Sequence, residues 1–191
     1  NLVRVLDYGV LEDGQPFLVM EHLEGVTLRE ALAQGPLAPR RALWIAAQVA
    51  EALAALHRKG YLHRDVKPSN VMLTREAGLE RATLLDLGLA RRGPALAATP
   101  GEGDDDDRYD EAEVTLDGLI PGTPQYMAPE QRRGQVVGPA ADQYALGCVL
   151  FELLTAEKLH GGAPRDAQAT RALLLGALLP EGQEPGALQV Q

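Results

Sequence analysis

The chain has 191 residues, 46% of them hydrophobic, which is enough to bury the core of one sizeable globular domain and excludes a fibrous protein. Eighteen basic and twenty-seven acidic side chains give a net charge of −9, which argues against nucleic acid phosphates or an anionic membrane surface as partners. The one cysteine excludes a disulfide framework, and no apolar run reaches the roughly eighteen residues of a membrane span.

The first part of the chain predicts a hairpin and a short helix. Apolar runs at residues 2–8 and 16–20 flank the turn-forming sequence Glu12-Asp13-Gly14, which is typical of two antiparallel strands. Thr27 and Glu30 have the spacing of a capping box, which predicts a short helix directly after Thr27.

A longer helix is predicted from Pro39, which suits a first turn, to Arg58 and Lys59, with Gly60 beyond its end. We interpret His57 as a core histidine that forms a hydrogen bond, and not as a metal ligand or a base. The predicted apolar face of this helix consists of Leu43, Ala46, Ala47, Ala50, Leu53 and His57.

Further along, strands are predicted at residues 71–74 and 82–85, so that a hairpin brings Asn70 and Asp86 together. Residues 91–118 are predicted to be a loop. The acidic run within it is interpreted as a solvated insertion, although a phosphate mimic and attraction of basic substrates remain alternatives. Two more helices are predicted, one buried at about 140–155 and one at 166–179.

The most informative segment is His63-Arg64-Asp65-Val66-Lys67-Pro68-Ser69-Asn70, followed later by Asp86-Leu87-Gly88. Phosphoryl transfer needs a group that accepts a hydroxyl proton, oxygens that bind metal, and positive charge near the moving phosphate. The side chains that carry these groups are Asp65, Asn70, Asp86 and Lys67.

With these motifs the chain resembles the protein kinase superfamily, specifically the eukaryotic-like serine/threonine kinases of bacteria, over nearly its whole length. Residues 63–70 resemble the catalytic loop, and Asp86-Leu87-Gly88 resembles the metal-binding Asp-Phe-Gly. Further matches are residues 17–23 (last N-lobe strand and hinge), Gly122-Thr123-Pro124-Gln125-Tyr126, Ala128-Pro129-Glu130 (end of the activation segment) and residues 142–147.

The resemblance implies an α+β, kinase-like fold. Residues 1–25 would be the remnant of the N-lobe with the hinge, and residues 26–191 the mostly helical C-lobe, with its activation segment at 86–130. The family's Gly-rich loop and ATP-anchoring lysine would lie upstream of Asn1. We therefore expect an incomplete domain whose activity is impaired in isolation.

The resemblance also implies the roles of the site residues. Asp65 would accept the proton of the substrate hydroxyl, Asn70 and Asp86 would hold Mg²⁺, and Lys67 would steady the transferred phosphate. Lys67 together with Thr123 indicates a serine or threonine acceptor.

For ATP, the resemblance implies that Met20 is the gatekeeper. Backbone groups of Glu21 and Leu23 would face adenine, and Leu73 would lie beneath the ring.

Six other residues have a structural or a functional interpretation. Arg64 would bind a phosphorylated residue of the activation segment, with Thr115 as the candidate and a solvated loop threonine as the alternative. His63 is expected to pack and hold the loop and not to be the base. Cys148 is expected in the core. His22 and His160 are expected at the surface, without a zinc site.

The predicted function is that of a serine/threonine protein kinase that uses ATP and Mg²⁺ and acts on a protein substrate. We expect no nucleic acid partner, no membrane span in this chain, and a cytoplasmic location or the cytoplasmic domain of a larger protein. The alternative is a pseudokinase, a binding or scaffold module. The absence of the ATP-anchoring lysine from this sequence favours that alternative, whereas the presence of Asp65, Asn70 and Asp86 argues against it.

Overall fold

The computed structural model describes residues 1–86 and 122–160, the backbone of residues 91–92, and the positions 170 and 174. Strands β1 (Val5–Val10) and β2 (Pro16–Met20) form the predicted antiparallel hairpin. The first strand begins later than predicted, because Val3 turns away to donate its backbone N–H to the carbonyl of Leu84, at 2.9 Å.

The next three elements follow the end of β2. Strand β3 (Gly25–Thr27) leads into helix α1 (Leu28–Leu32), and helix α2 (Pro39–Arg58) follows. The capping box is confirmed, since Glu30 N–H donates to Thr27 Oγ1 at 3.2 Å and Thr27 N–H donates to Glu30 Oε2 at 2.7 Å.

The predicted buried face of α2 is partly wrong. Ala46 and Leu53 are buried and His57 is half-buried, but Leu43, Ala47 and Ala50 are exposed. Apolar residues occur all around this helix, so the sequence alone does not fix its rotation, and packing against the later strands and helix decides it. The buried residues are Ala42, Ile45, Ala46, Gln48, Val49, Ala52, Leu53 and Leu56.

Two small sheets follow the helix. Strands β5 (Val71–Glu76) and β6 (Leu79–Leu84) form the predicted hairpin, which extends to a three-stranded sheet in the order β3-β5-β6. Strand β4 (Tyr61–Leu62) pairs with β7 (Arg91–Arg92). The loop predicted at 91–118 is therefore wrong at its first two residues, and the rest of it, with the acidic run, lies outside the described residues.

Helices α3 (Pro129–Arg132) and α4 (Pro139–Thr155) complete the described fold. The predicted buried helix is confirmed as α4, whose Ala145, Val149 and Leu153 belong to the core that also includes α2, β5 and β6. Of the helix predicted at 166–179, only positions 170 and 174 are described, and both are helical.

The antiparallel strand pairs and the separate helices confirm the predicted α+β class. Where the chain is described, none of its helices combines the length and the hydrophobicity that crossing a membrane requires.

Candidate active site

Four groups converge on the carboxylate of Asp65, which is only 8% exposed. The backbone N–H of Thr123 and its hydroxyl donate to Oδ1, at 3.2 and 3.0 Å. The ammonium of Lys67 and the amide nitrogen of Asn70 donate to Oδ2, the latter at 3.2 Å. The structure thus brings together side chains that the sequence analysis assigned to one site from two distant segments.

Lys67 lies between the carboxylate of Asp65 and the hydroxyl of Thr123. Its Nζ donates to Asp65 Oδ2 and also to Thr123 Oγ1, at 3.1 Å. A charged donor that bridges a carboxylate and a hydroxyl fixes both in one orientation. The cation therefore stands beside the oxygen that could accept a proton.

A buried carboxylate, Asp142 of α4, anchors the loop that carries Asp65. It is 1% exposed and accepts hydrogen bonds from the backbone N–H groups of His63 and Arg64, at 2.9 and 2.8 Å. His57 Nε2 lies 2.8 Å from the same carboxylate, which confirms His57 as a hydrogen-bonded core histidine. The sequence analysis included Asp142 in the family match at residues 142–147 but assigned it no role in holding this loop.

His63 is fully buried and connects the loop to the end of β6. The backbone N–H of Asp65 faces Nδ1 at 3.4 Å, so Nε2 carries the proton and donates to the carbonyl of Leu85 at 2.9 Å. The backbone N–H of Leu85 donates in turn to the carbonyl of Asn70 at 2.8 Å. The prediction that His63 packs and holds the loop is confirmed, and these bonds hold Leu85, the residue directly before Asp86, against the main chain of Asn70.

Asn70 and Asp86 present oxygen donors. Asn70 Nδ2 donates to the carbonyl and the carboxylate of Asp65, at 3.0 and 3.2 Å, which leaves Oδ1 as the atom that it can offer to a cation. Asp86 is exposed and adopts a left-handed backbone, with φ 58°. Such a conformation is costly for a residue other than glycine and is typical of functional sites.

This donor set fits Mg²⁺, which prefers oxygen ligands and commonly takes one or two protein groups together with phosphate oxygens. Within the described part of the chain, no three His, Cys, Asp or Glu side chains are grouped so as to hold a metal by themselves. An ion here would therefore depend on the oxygens of a bound ligand as well.

The segment predicted to be the hinge begins at the end of β2. Met20 pairs with Val5 of β1 and is 40% exposed. The backbone N–H of Glu21 donates to the carbonyl of Arg4 at 3.0 Å, and its carboxylate accepts from the backbone N–H of Arg4 at 2.8 Å. Because its N–H is occupied, the backbone of Glu21 can offer a ligand only its carbonyl.

Beyond Leu23 the chain forms β3, which pairs with β5 at close range. Leu73, buried at 4% exposure, pairs with Val26 of β3. A Cβ atom placed on Gly25 would lie 2.1 Å from the carbonyl oxygen of Leu73, so only glycine permits this approach. The segment after the hinge and the predicted floor of the nucleotide site are thus in contact.

A second polar cluster, which the sequence analysis missed, lies where α1, the segment before α3, and α4 meet. Arg29 donates to Glu152 at 2.6 Å and to the hydroxyl of Tyr126 at 2.5 Å, and that hydroxyl donates to the other oxygen of Glu152 at 2.6 Å. Burial and the neighbouring Glu152 carboxylate raise the pKa of Tyr126 far above its usual value. The spacing of these residues along the chain gives no signal of their contact.

The remaining predictions have mixed outcomes. Cys148 is buried, and burial raises the pKa of its thiol to about 11, which confirms the core assignment. His22 is exposed as predicted, but the surface prediction for His160 is wrong. His160 is half-buried and stacks on Tyr144, with ring centroids 5.9 Å apart, because Tyr144 provides an aromatic face at this point of α4. Thr115 lies outside the described residues.

Comparison with known proteins gives matches over most of the chain. The sequence pattern of the protein kinase domain family matches residues 1–175. Serine/threonine-protein kinase PknB of Mycolicibacterium smegmatis is 41% identical over 160 residues, 82% of this chain and 23% of that protein. Serine/threonine-protein kinase pkn2 of Myxococcus xanthus is 39% identical over 166 residues, which are 86% of this chain and 18% of that protein. Serine/threonine-protein kinase PknD of Mycobacterium tuberculosis is 38% identical over 190 residues, which are 99% of this chain and 25% of that protein. The chain spans about a quarter or less of the length of these curated relatives.

Proposed function

The chain belongs to the protein kinase domain family, in its bacterial serine/threonine branch, and we propose that it transfers the γ-phosphoryl group of ATP to a serine or threonine hydroxyl of a protein. The observation that carries this proposal is the Asp65 carboxylate, held by Thr123, Lys67 and Asn70 in one fixed orientation. Phosphoryl transfer asks mainly for positioning and for charge stabilisation.

In this proposal Asp65 receives the substrate hydroxyl and accepts its proton. Lys67 places positive charge beside the phosphoryl group, and Thr123 orients both side chains from the activation segment. Mg-ATP, when bound, supplies the phosphoryl group and the metal charge, as is general among protein kinases. Asn70 and Asp86 would hold the metal through their oxygens.

We place the adenine between the hinge and β5. The carbonyl of Glu21 and the backbone of Leu23 would bond its edge, Leu73 would pack beneath the ring, and Met20 would limit the depth of the site. The occupied N–H of Glu21 supports this assignment of its carbonyl.

The division of the chain follows from the same proposal. Residues 1–25 form part of an N-lobe with the hinge, and residues 26–191 form the C-lobe, with the catalytic loop at 63–70, the activation segment at 86–130 and the buried helix at about 140–155. Arg64 would bind phosphorylated Thr115. Members of this family act on proteins, and we propose a serine or threonine acceptor and a cytoplasmic site of action.

The experiment measures transfer of phosphate from radiolabelled Mg-ATP to a basic protein by the full-length protein and its Asp65→Asn variant. We expect transfer to fall about 10²- to 10⁴-fold in the variant, as is typical when a general base is lost. Binding of Mg-ATP, measured by calorimetry, should stay within about twofold, since Asn70 and Asp86 are unchanged. Equal transfer by both proteins would refute the role of Asp65. Binding without any transfer would establish the pseudokinase alternative.

A further inference from the structure

The backbone of Arg64, directly before Asp65, adopts the left-handed conformation, with φ 67°. A residue with a Cβ keeps this conformation only when its surroundings hold it. The two hydrogen-bonding groups of Arg64 in the main chain are both held by buried side chains from other elements. Its N–H donates to Asp142 Oδ1 at 2.8 Å, and its carbonyl accepts from Gln131 Nε2 at 3.1 Å.

Gln131, in α3, is 6% exposed and uses both ends of its amide. Oε1 accepts from the backbone N–H of Ala128 at 3.0 Å, while Nε2 donates to the carbonyl of Arg64. One partner can only donate and the other can only accept, so the two backbone groups together fix the orientation of the amide. The side chain of Gln131 therefore links α3 to the catalytic loop by hydrogen bonds.

The C-terminal part of the proposed activation segment, which is described from residue 122 onward, also approaches the carbonyl of Arg64. A Cβ on Gly122, whose φ is 126°, would lie 3.7 Å from this oxygen and 2.8 Å from Met127 Cε. Thr123 follows directly and donates to the carboxylate of Asp65. The segment from 122 to 132 thus holds Asp65 in two ways. Thr123 binds the carboxylate of Asp65, and Gln131 binds the peptide group that precedes Asp65.

We propose that Gln131 is a positioning residue, which holds the peptide before Asp65 and so aims its carboxylate at the substrate hydroxyl. The proposal rests on the proposed function of Asp65 as proton acceptor. It makes catalytic geometry depend on the docking of α3, 67 residues further along the chain.

The alternative is that Gln131 only caps the first turn of α3. Gln131→Glu separates the two, because a carboxylate still accepts from Ala128 N–H but cannot donate to the Arg64 carbonyl. Gln131→Met, of similar length, loses both bonds. Gln48→Met is the matched control, since buried Gln48 also accepts a backbone bond, from Ala82 at 3.0 Å, but lies in α2 away from Asp65.

The test uses the full-length protein and measures kcat and KM with Mg-ATP and a basic protein, together with hydrogen exchange of the segment 63–66. We expect kcat to fall about 10- to 100-fold in both Gln131 variants, with KM for ATP within about twofold, because misplacement by about 1 Å has costs of this order. Exchange of 63–66 should be faster in both, whereas Gln48→Met should melt at a lower temperature and keep its kcat and this exchange.

Wild-type kcat in Gln131→Glu, or unchanged exchange of 63–66, would overturn the proposal and leave only the cap. If the wild type itself transferred no phosphate, the proposed function would fail, and the exchange measurement would still decide whether Gln131 holds the loop. A loss of kcat in Gln48→Met equal to that in Gln131→Met would also refute positioning, since any buried glutamine would then have the same effect.

Discussion

The anchoring of the catalytic loop by Asp142 can be tested by removing its carboxylate. Asp142→Ala leaves the buried backbone N–H of His63 and the partly buried N–H of Arg64 without their acceptor, and it removes the partner of His57. A buried donor left without a partner costs about 1–3 kcal/mol. The two N–H groups alone therefore predict a loss of about 2–6 kcal/mol in the free energy of unfolding.

A loss of this size is a large part of the roughly 5–15 kcal/mol that stabilises a typical domain. The measurement is urea denaturation of wild type and variant, followed by fluorescence of Trp44, the one tryptophan of the chain. Glu51→Ala is the matched control, because Glu51 is an exposed acid of α2 whose carboxylate accepts a hydrogen bond from the side chain of Asn1 at 2.7 Å. We expect the control to stay within about 0.5 kcal/mol of wild type. A loss below about 1 kcal/mol in Asp142→Ala would refute the reasoning, since the loop would then find other partners.

Three further predictions concern Tyr126, Cys148 and Thr115. Tyr126→Phe removes the hydroxyl between Arg29 and Glu152, and we expect urea denaturation to show a loss of about 1–2 kcal/mol; the exposed Tyr8→Phe should show none. Cys148 should resist a thiol reagent at pH 8 in the folded protein and react fully in urea, because burial keeps it protonated; rapid labelling of the native state would contradict its burial. Thr115→Ala should lower both phosphate incorporation and transfer rate in the full-length protein if Arg64 binds its phosphorylated form, and unchanged values would remove Thr115 as the regulatory site.

Features that depend on neighbouring residues were predictable from the sequence. The capping box at Thr27 and Glu30 is a local pattern, and so are the hairpins around Gly14 and Gly78, where glycine occupies positive φ, 84° and 82° respectively. Asp65, Lys67 and Asn70 lie within six residues of one another, so the motif itself brings them together.

Features that depend on distant residues were not predictable in this way. Arg29 and Glu152 are 123 positions apart, and Asp142 lies 79 positions from His63, so no spacing rule links them. The rotation of α2 was mispredicted for a related reason. Leu43 and Ile45 are equally apolar, and only packing against other elements decides that Ile45 is the buried one.

Where β3 pairs with β5, the main chain of Gly25 lies directly against the carbonyl of Leu73. The spacing of β3 and β5 at this point is therefore set by peptide groups, and a side chain at position 25 would collide with the carbonyl of Leu73. If nucleotide binds at the site proposed above, variants selected for altered nucleotide preference should retain glycine there and accumulate their changes at positions such as Met20, which is 40% exposed.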